Sequence, residues 1–435
     1  MSPTNSNKQK VIIIGAGMSG LGAGIKLLKN GFVCTILERY SEAGGLAGSF
    51  KIENKYFPLG YHHILYQDKP LLQTLKKMGL YQNVHWKKGK VLFTIDNRIY
   101  DLTNPLEFIK FPLPWLDKLR FIKLMAYCFF KKNWDEDLGD AETWLDKIAG
   151  ANVRKIIFDP LMDIKYGLPS KELSANWIGS RLHYQEFSKP LGYLPGTDWT
   201  KVMIEKMTEE FQELGGLIIT GASVKKISWQ NEQSKSVVFQ KNNQDSSLSG
   251  DILINTAPPH IFLSLCDYSD KKLEKIKYLD ALSLILETHQ KLPRELYLLS
   301  CLKPRYSFGG IFMLSSLNST IGVQNGTVIN FFTTLSKNYE HLRNKTSDEL
   351  LEIYQKDFEK LFGFRLNPLW HHLTLIKNYS PEFLRGYENA EQRGNIKGIY
   401  FAGNYLTYPI ITSTGSAIAS GEKAADYIIQ DYGQP

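Results

Sequence analysis

The chain has 435 residues, of which 43% are hydrophobic and 22% are charged, and its formal net charge is +8. This composition is typical of a folded protein with more than one substructure, and it argues against extensive disorder. The mild positive charge permits an anionic ligand or a membrane surface. No long Lys and Arg run indicates a nucleic-acid-binding arm, so nucleic acid is not an expected partner.

The cysteines indicate a reducing compartment, and the N-terminal sequence agrees with this. The four cysteines are scattered, with no CxxC pair and no spacing typical of a metal site, so no bound metal is predicted. The polar N-terminus lacks the apolar core of a secretion signal, and no stretch of about 18 apolar residues predicts a membrane span. A cytoplasmic protein is expected, with membrane association left open, and nothing specifies its oligomeric state.

The first predicted elements are a strand, a glycine-rich turn, a helix and a second strand. The first strand begins at Lys10, the turn holds Gly15, Gly17 and Gly20 in GxGxxG spacing, and the second strand ends at Glu38. These glycines permit a tight turn, close approach of a pyrophosphate and packing of helix on strand. The helix N-terminus then faces the phosphates, and the carboxylate of Glu38 can accept hydrogen bonds from ribose hydroxyls. We expect a dinucleotide site here.

A second glycine-rich loop, "RYSEAGGLAGSF" (39–50), follows at once. A domain that binds only NAD does not need this loop. Gly44, Gly45 and Gly48 can bring the backbone close to a second part of an extended ligand. FAD is therefore the better prediction.

Two adjacent histidines stand in "LGYHHILYQ" (59–67), where they suit four roles: metal ligand, acid or base, ring-stacking platform, or packing. Adjacent side chains of an extended segment point to opposite faces, so one histidine faces away from the other. No third ligand is indicated, which disfavours a metal site.

Aromatic, aliphatic and basic residues are interleaved in "FIKFPLPWLDKLRFIKLMAYCFFKKNW" (108–134). An interfacial helix needs this mixture, because its cations meet lipid headgroups while its rings enter the acyl boundary. The same mixture of residues also suits a helix that packs on its own domain and whose lysines are solvated. The segment therefore leaves peripheral membrane contact open.

Further strands are predicted in the centre and near the end of the chain. The stretches 221–230 and 250–260 read as strands, the second leading into a proline loop, and "NNQDSSLSGD" (242–251) reads as a hairpin loop. "GIYFAG" (398–403) predicts a strand, and "TSTGSAIASGEKAADYII" (412–429) predicts a helix that opens with N-cap residues. The N-terminus of that helix is a donor site for negative charge.

Three motifs together, "VIIIGAGMSGLGAGIKL", "LERYSEAGGLAGSF" and "GIYFAGNYLTYPIITSTGSAIASGEKAADYI", resemble the flavin-containing amine oxidase superfamily. That superfamily includes protoporphyrinogen oxidases, phytoene-type desaturases and, more distantly, UDP-galactopyranose mutases. The resemblance implies FAD, bound noncovalently since the cysteine motif of covalently flavinylated members is missing. Many members have an arginine where this chain has Leu46. The motif positions and the resemblance together predict these cofactor contacts: Gly15, Ala16, Gly17, Met18, Ser19, Gly20, Glu38, Arg39, Gly44, Gly45, Leu46, Ala47, Gly60, Tyr61, His62, Val224, Ala257, Gly403, Asn404, Thr414, Ser416 and Ala417.

The implied fold is α/β, with a Rossmann-like FAD-binding domain that is discontinuous in sequence. Residues 8–72, 192–265 and 388–435 are expected to form that domain. Residues 73–191 and 266–387 are expected to form an α+β substrate domain with an antiparallel sheet and a helical part at about 100–190.

The resemblance also nominates catalytic residues. "GYHHI" is similar to the "GPHIFH" segment of galactopyranose mutases, matching at Gly60 and His62, so His62 is expected to face the flavin and His63 to pack. Amine oxidases frame the substrate nitrogen with two aromatic rings, and Tyr379 or Tyr387 is a candidate for one of them.

Three classes of function fit the sequence. The first is an FAD-dependent oxidoreductase that takes hydride from a small hydrophobic, conjugated or amine-type substrate, with orientation and electrostatics supplied by the protein. The second is a non-redox nucleotide-sugar mutase, whose substrate diphosphate needs arginines. The third is an FAD-bearing binding or assembly protein. The oxidoreductase is favoured.

Overall fold

The computed structural model describes residues 8–184, 189–230 and 234–433, and strands and helices are mixed along all of it. The strands are β1 (Lys10–Ile14), β2 (Val33–Leu37), β3 (Ser49–Ile52), β4 (Lys55–Pro58), β5 (Ile64–Leu65), β6 (His85–Lys87), β7 (Val91–Ile95), β8 (Arg98–Tyr100), β9 (Leu191–Tyr193), β10 (Leu217–Ile219), β11 (Ser223–Gln230), β12 (Ser234–Lys241), β13 (Gln244–Gly250), β14 (Ile252–Asn255), β15 (Tyr278–Thr288), β16 (Leu298–Lys303), β17 (Gly310–Met313), β18 (Thr327–Leu335), β19 (Trp370–Pro381) and β20 (Ile399–Phe401).

The α-helices connect these strands and form one separate helical layer. They are α1 (Met18–Lys29), α2 (Lys69–Lys77), α3 (Pro105–Lys110), α4 (Trp115–Phe130), α5 (Ala141–Ile148), α6 (Ala151–Val153), α7 (Asp159–Tyr166), α8 (Ala175–Tyr184), α9 (Trp199–Glu213), α10 (Pro259–Leu265), α11 (Lys271–Glu274), α12 (Leu314–Leu317), α13 (Ser347–Phe362) and α14 (Thr414–Tyr432). A π-helical turn, Arg154–Phe158, joins α6 to α7.

A five-stranded parallel sheet, in the order β10-β2-β1-β14-β20, organises the dinucleotide motif. Its strands are short apolar runs because both faces are covered. Ile13 of β1 packs in the cluster beneath α1 and α14, while Ile12 packs in the cluster beneath β11 and β12. The carboxyl ends of β1, β14 and β20 lie side by side, and the loops that leave these ends form the candidate site.

A seven-stranded sheet, in the order β19-β15-β18-β17-β16-β7-β8, forms the second layer. Its pairs are antiparallel except for β16 with β7. Helix α13 contributes to the core on one face, and the loop after β4 packs against the other face. The parallel sheet and this antiparallel sheet confirm the predicted α/β class with a Rossmann-like unit.

Helices α3 to α8 pack around a core of their own, which includes Trp134, Trp144 and Trp177. Among the described residues, no helix is long and apolar enough to cross a membrane.

One local prediction is wrong. The segment 242–251 is mostly strand, since β13 pairs with β12 in a three-stranded antiparallel sheet with β11. The turn is confined to Asn242 and Asn243, whose φ values of 51° and 61° suit a two-residue hairpin loop. Strand β13 is polar and rich in serine because it is exposed along most of its length, and this composition is also typical of a loop.

Candidate cofactor and substrate site

The β1–α1 turn has the geometry that its glycines predict. Gly15 has a φ of 100°, and a Cβ there would lie 2.6 Å from Thr256 Oγ1. A Cβ on Gly20 would lie 2.0 Å from the carbonyl oxygen of Gly15, so only glycine lets α1 start so close to β1. Helix α1 has no capping side chain and no acid in its first turn, so its N-terminal N–H groups are suited to an anionic ligand.

The carboxylate of Glu38 lies against this turn. It is buried, the Ala16 N–H donates to Oε2 (2.8 Å), and the Tyr40 N–H donates to Oε1 (2.9 Å). A carboxylate has about four acceptor positions, so two remain for ribose hydroxyls. Arg39, in contrast, is exposed, and its guanidinium stacks on the Tyr40 ring at 4.5 Å.

The second glycine-rich loop packs directly on the first. The Gly44 N–H donates to the Ala16 carbonyl (2.9 Å), and Gly17 and Gly44 form a β-bridge. Gly44 has a φ of 137°, and a Cβ on Gly45 would lie 3.3 Å from the Cα of Gly17. A 3₁₀ turn, Gly45–Ala47, follows, in which Leu46 is exposed. The two loops thus form one continuous backbone surface.

The C-terminal motif lies beside the same strand ends. Gly403 has a φ of 146°, and its N–H donates to Ser420 Oγ (3.0 Å). Asn404 Oδ1 accepts a hydrogen bond from the Tyr278 hydroxyl (2.8 Å), which links this motif to β15. Helices α1 and α14 are joined by Ser19 Oγ, which donates to the Ala417 carbonyl (2.8 Å).

The N-terminus of α14 is already capped. Ser413 and Ser416 form a capping box. The Gly415 N–H donates to Asp68 Oδ2 (3.2 Å), and a Cβ on Gly415 would overlap this carboxylate. Burial raises the pKa of Asp68, against the opposing effect of the hydrogen bonds that it accepts. Thr414 begins the helix, so the predicted donor site lies next to the carboxyl group of Asp68, the N-cap residue of α2.

The "GYHHI" segment places its side chains on alternate sides, as an extended chain does. Tyr61 and His63 face the antiparallel sheet. The Tyr61 ring stacks on the Phe312 ring with 3.6 Å between the ring centroids, and His63 Nδ1 is 2.7 Å from the Tyr297 hydroxyl. Gly60 lets the segment approach the sheet, because a Cβ there would lie 3.2 Å from the side chain of Ile376.

His62 turns the other way, into a small cavity of about 20 Å³ that Asp198 and Trp199 help to line. Its Nδ1 is buried and has no hydrogen-bond partner. Burial lowers the pKa of His62 although Asp198 opposes this effect, so the imidazole is neutral at physiological pH. A neutral ring with an unsatisfied nitrogen is suited to a polar ligand atom.

The two candidate tyrosines are not together. Tyr379 joins Tyr61, Phe312 and Phe332, and we call these four residues the aromatic platform. The Tyr61 and Tyr379 hydroxyls are 3.3 Å apart. Tyr387 instead packs on Phe383 and Tyr408 in the helical layer's core and donates to the Tyr405 carbonyl.

The remaining predicted contacts, Val224 and Ala257, lie on either side of the dinucleotide turn. Strand β11, which contains Val224, starts next to Glu38, whose carbonyl accepts from the Ala222 N–H (2.8 Å). The Ala257 carbonyl accepts from the side chain of Asn255 (2.9 Å) at the end of β14.

Asp68, Thr256 and Tyr297 are site residues that the sequence interpretation missed. Thr256 fixes the dinucleotide turn, since its Oγ1 donates to the Ile14 carbonyl (2.7 Å). Asp68 precedes a proline at the start of α2, a recognisable helix-start signal. That signal predicts the cap of α2 but not the contact with α14.

These features fit a flavin dinucleotide. The uncapped α1 N-terminus suits the pyrophosphate, Glu38 suits the adenosine ribose, and the Gly44–Gly45 loop extends the surface for the flavin half. His62 Nδ1 offers an unsatisfied polar atom next to Tyr61 of the aromatic platform in sequence, on the other side of the segment.

A family model described as flavin containing amine oxidoreductase matches residues 18–429. The chain belongs to this family. The assignment makes it a flavin-dependent oxidoreductase and confirms the resemblance, since the match begins within the first glycine-rich motif and includes the second one and the C-terminal motif.

Two relatives in this family are similar over nearly the whole chain. A 15-cis-phytoene desaturase of Arabidopsis thaliana is 22% identical over 99% of this chain and 82% of its own length. Protoporphyrinogen oxidase 2 of Arabidopsis thaliana is also 22% identical, over 97% of this chain and 94% of its own length.

A solved structure of reduced UDP-galactopyranose mutase has the same fold. Its TM-score is 0.74 at 16% identity, over 98% of this chain and 97% of that chain. At this level of identity the similarity concerns the fold alone.

Proposed function

We propose that this amine oxidoreductase family member binds FAD noncovalently and removes hydride from a hydrophobic, conjugated or amine-type small molecule. The hydrogen bond between the Gly44 N–H and the Ala16 carbonyl is the observation that favours FAD over NAD as the cofactor. Because the second glycine loop extends the surface of the first, the site suits a ligand longer than the dinucleotide turn alone requires.

The cysteines support noncovalent binding. Cys34, Cys128 and Cys301 are buried and Cys266 is partly buried, in elements away from the C-terminal motif. Burial raises the pKa of Cys34 to about 12, which keeps this thiol protonated and unreactive. All four are free thiols, which supports a reducing compartment such as the cytoplasm.

The aromatic platform supports an apolar substrate. Its four rings contact one another, and its polar atoms include the paired Tyr61 and Tyr379 hydroxyls. Burial raises the pKa of Tyr379 well above its usual value, so this hydroxyl stays neutral. Phe312 and Phe332 are buried and support the partly exposed rings of Tyr61 and Tyr379. These two tyrosines can orient a conjugated or amine-bearing molecule, while the bound flavin would supply hydride acceptance.

The arginines do not favour the mutase reaction, whose diphosphate substrate needs unengaged cations. Six arginines from the second half of the chain each pair with at least one carboxylate. The pairs are Arg294 with Glu107, Arg305 with Asp163, Arg343 with Asp280 and Glu340, Arg365 with Glu352, Arg385 with Asp140, and Arg393 with Asp431.

Isolation of the protein tests the cofactor. We expect a yellow preparation from which heat or acid releases FAD, identified by chromatography. Glu38→Gln should weaken FAD retention by about 1.5–3 kcal/mol, because the amide loses charge-assisted hydrogen bonds to the ribose. The exposed neighbour Glu42, changed to Gln, is the matched control. A colourless protein that binds only NAD would contradict the proposal.

Anaerobic photoreduction tests the reaction class. The reduced protein should be reoxidised by air or by a quinone and should leave nucleotide sugars unchanged. Turnover of a nucleotide sugar only in the reduced state would replace the oxidoreductase with the mutase.

A further inference from the structure

The solvent-facing side of α4 is apolar. Its large side chains include Trp115, Leu116 and Phe130, which are 63%, 66% and 75% exposed. Leu119, Ile122 and Phe129 are about half exposed. Single exposed apolar residues are ordinary, but a contiguous row on one helix marks an interaction surface.

Helical spacing explains why these residues form one surface. Positions 115, 119, 122, 126 and 129 recur at the period of an α-helix and form an outward stripe. The opposite side holds Leu124 and Cys128, which are fully buried in the helical layer's core. Because α4 already buries one apolar face, the outward face is not needed to hold the helix in place.

Helix α3 extends the surface. Leu106 and Ile109 are both more than half exposed. Lys118 is buried, and its Nζ donates to the Ile109 carbonyl (2.7 Å), which ties α3 to α4. We call the exposed apolar residues of 106–130 the α3–α4 surface.

Basic side chains surround this surface. Lys110, Lys123 and Lys132 are exposed, while Lys131 lies 3.4 Å from Glu136. The acid within α4, Asp117, is buried and accepts from Arg120 (2.8 Å). Long basic side chains beside an apolar face can reach anionic headgroups while neighbouring rings enter the acyl boundary.

We propose that the α3–α4 surface binds the interface of an anionic lipid membrane. A second copy of the chain is less suited to it, because two-fold docking would bring the lysines of both copies together.

A chain of packed residues links the buried side of α4 to the candidate site. Cys128, on the buried side of α4, has its carbonyl 2.8 Å from Nδ1 of His183 in α8. The next residue, Tyr184, packs against the core cluster that Tyr61 also contacts. The helix that carries the proposed lipid-binding surface is thus packed, through α8, against the same core cluster as the aromatic platform.

Co-sedimentation with lipid vesicles tests the proposal on the full chain. We expect binding to vesicles of equal parts phosphatidylcholine and phosphatidylglycerol, weaker binding to phosphatidylcholine alone, and weakening by salt. Leu116→Glu, Ile122→Glu and Phe130→Glu should each reduce the partition coefficient about tenfold, given the free energy of burying one such side chain. Leu217→Glu, at an exposed leucine on β10, is the matched control and should bind like the wild type.

The fluorescence of Trp115 can report membrane binding in the wild-type protein, without any substitution. All eight tryptophans are described, and Trp115 alone is exposed, so its fluorescence should shift to the blue when anionic vesicles are added. Absent binding and absent shift would overturn the proposal, as would equal binding by the Glu variants. Wild-type dimers that these substitutions convert to monomers, without vesicle binding, would assign the surface to a second copy instead. None of these outcomes depends on the proposed oxidoreductase activity.

Discussion

Asp68 places a carboxyl group at the N-terminus of α14, which the sequence predicts to be a donor site for negative charge. Its Oδ2 accepts a hydrogen bond from the Gly415 N–H at the N-terminus of α14. This N–H is therefore not free for a ligand, and the ionised carboxylate of Asp68 adds negative charge at the helix end. An ionised carboxylate there opposes negative charge on a nearby flavin.

We predict that Asp68→Asn raises the reduction potential of the bound flavin. A charge effect of about 0.5–2 kcal/mol corresponds to about 10–40 mV for a two-electron couple. The asparagine still caps α2, so the fold should be retained. Since the wild-type carboxyl loses its proton as pH rises, the difference between the two proteins should grow with pH. Titration against reference dyes measures this, and an unchanged or lower potential would contradict it.

The two histidines differ in what they contact, so their single alanine variants should differ too. His62→Ala removes a ring whose Nδ1 has no protein partner, and it should alter the visible flavin spectrum or reduction rate with little loss of stability. His63→Ala removes the contact with the Tyr297 hydroxyl and should cost about 1–3 kcal/mol of unfolding free energy. Urea unfolding and absorbance spectra separate the two, and equal, purely structural losses would reduce both residues to packing.

Helices α1 and α14 pack so closely that one glycine is required. A Cβ on Gly421 would lie 2.0 Å from the Ser19 carbonyl oxygen, which is rigid backbone. A Cβ on Gly22, in the same helix pair, would lie 3.3 Å from the side chain of Ile418 and 3.4 Å from its carbonyl oxygen, distances that a shift of a few tenths of an ångström relieves.

We predict that Gly421→Ala destabilises the protein by about 1–3 kcal/mol and weakens flavin retention, because the helices must separate. Gly22→Ala should stay within about 1 kcal/mol of the wild type, since the strain is offset by better helix propensity. Denaturant midpoints compare the two variants, and similar losses from both would show that the close contact at Gly421 is unimportant.

Elements whose signals are local could be predicted from the sequence. Strand β1, helix α1 and the start of α14 carry apolar periodicity, glycines and cap residues at fixed spacing. Strand β13 was missed because an exposed strand without apolar alternation resembles a loop. The faces of α4 could not be assigned, because apolar residues lie on both sides. Trp115 and Phe129 prove exposed, whereas Phe121 is half-buried beside Phe108.

Contacts between residues that are far apart in the chain could not be predicted from the sequence. The Asp68 contact with Gly415 joins residues 347 positions apart, and no local pattern encodes it. The carboxylate partners of the arginines were hidden for the same reason. The separation of Tyr387 from the aromatic platform also depends on tertiary packing. The assignments of His62, Tyr379 and Tyr387 as catalytic residues stay predictions.

At the scale of the molecule, the proposed FAD site joins loops from distant parts of the chain, so the ligand should stabilise the whole fold. We predict that removing flavin lowers the unfolding temperature, and that FAD at about 100 times its Kd restores about 2.7 kcal/mol. Calorimetry measures the shift. FMN, which lacks the adenosine that Glu38 is expected to hold, is the matched control and should restore less. An apoprotein whose unfolding temperature does not change when FAD is added would contradict this prediction.

The strand order of the parallel sheet has a consequence for synthesis on the ribosome. Strand β1 lies between β2 and β14, and the edge strand β20 comes from residues 399–401. At translation rates of about 5–20 residues per second, roughly 20–70 seconds separate the emergence of β2 from that of β20. Throughout that interval the nascent chain holds an unfinished apolar sheet. The proposed cofactor site is complete only after β20 and the helix that follows it have emerged.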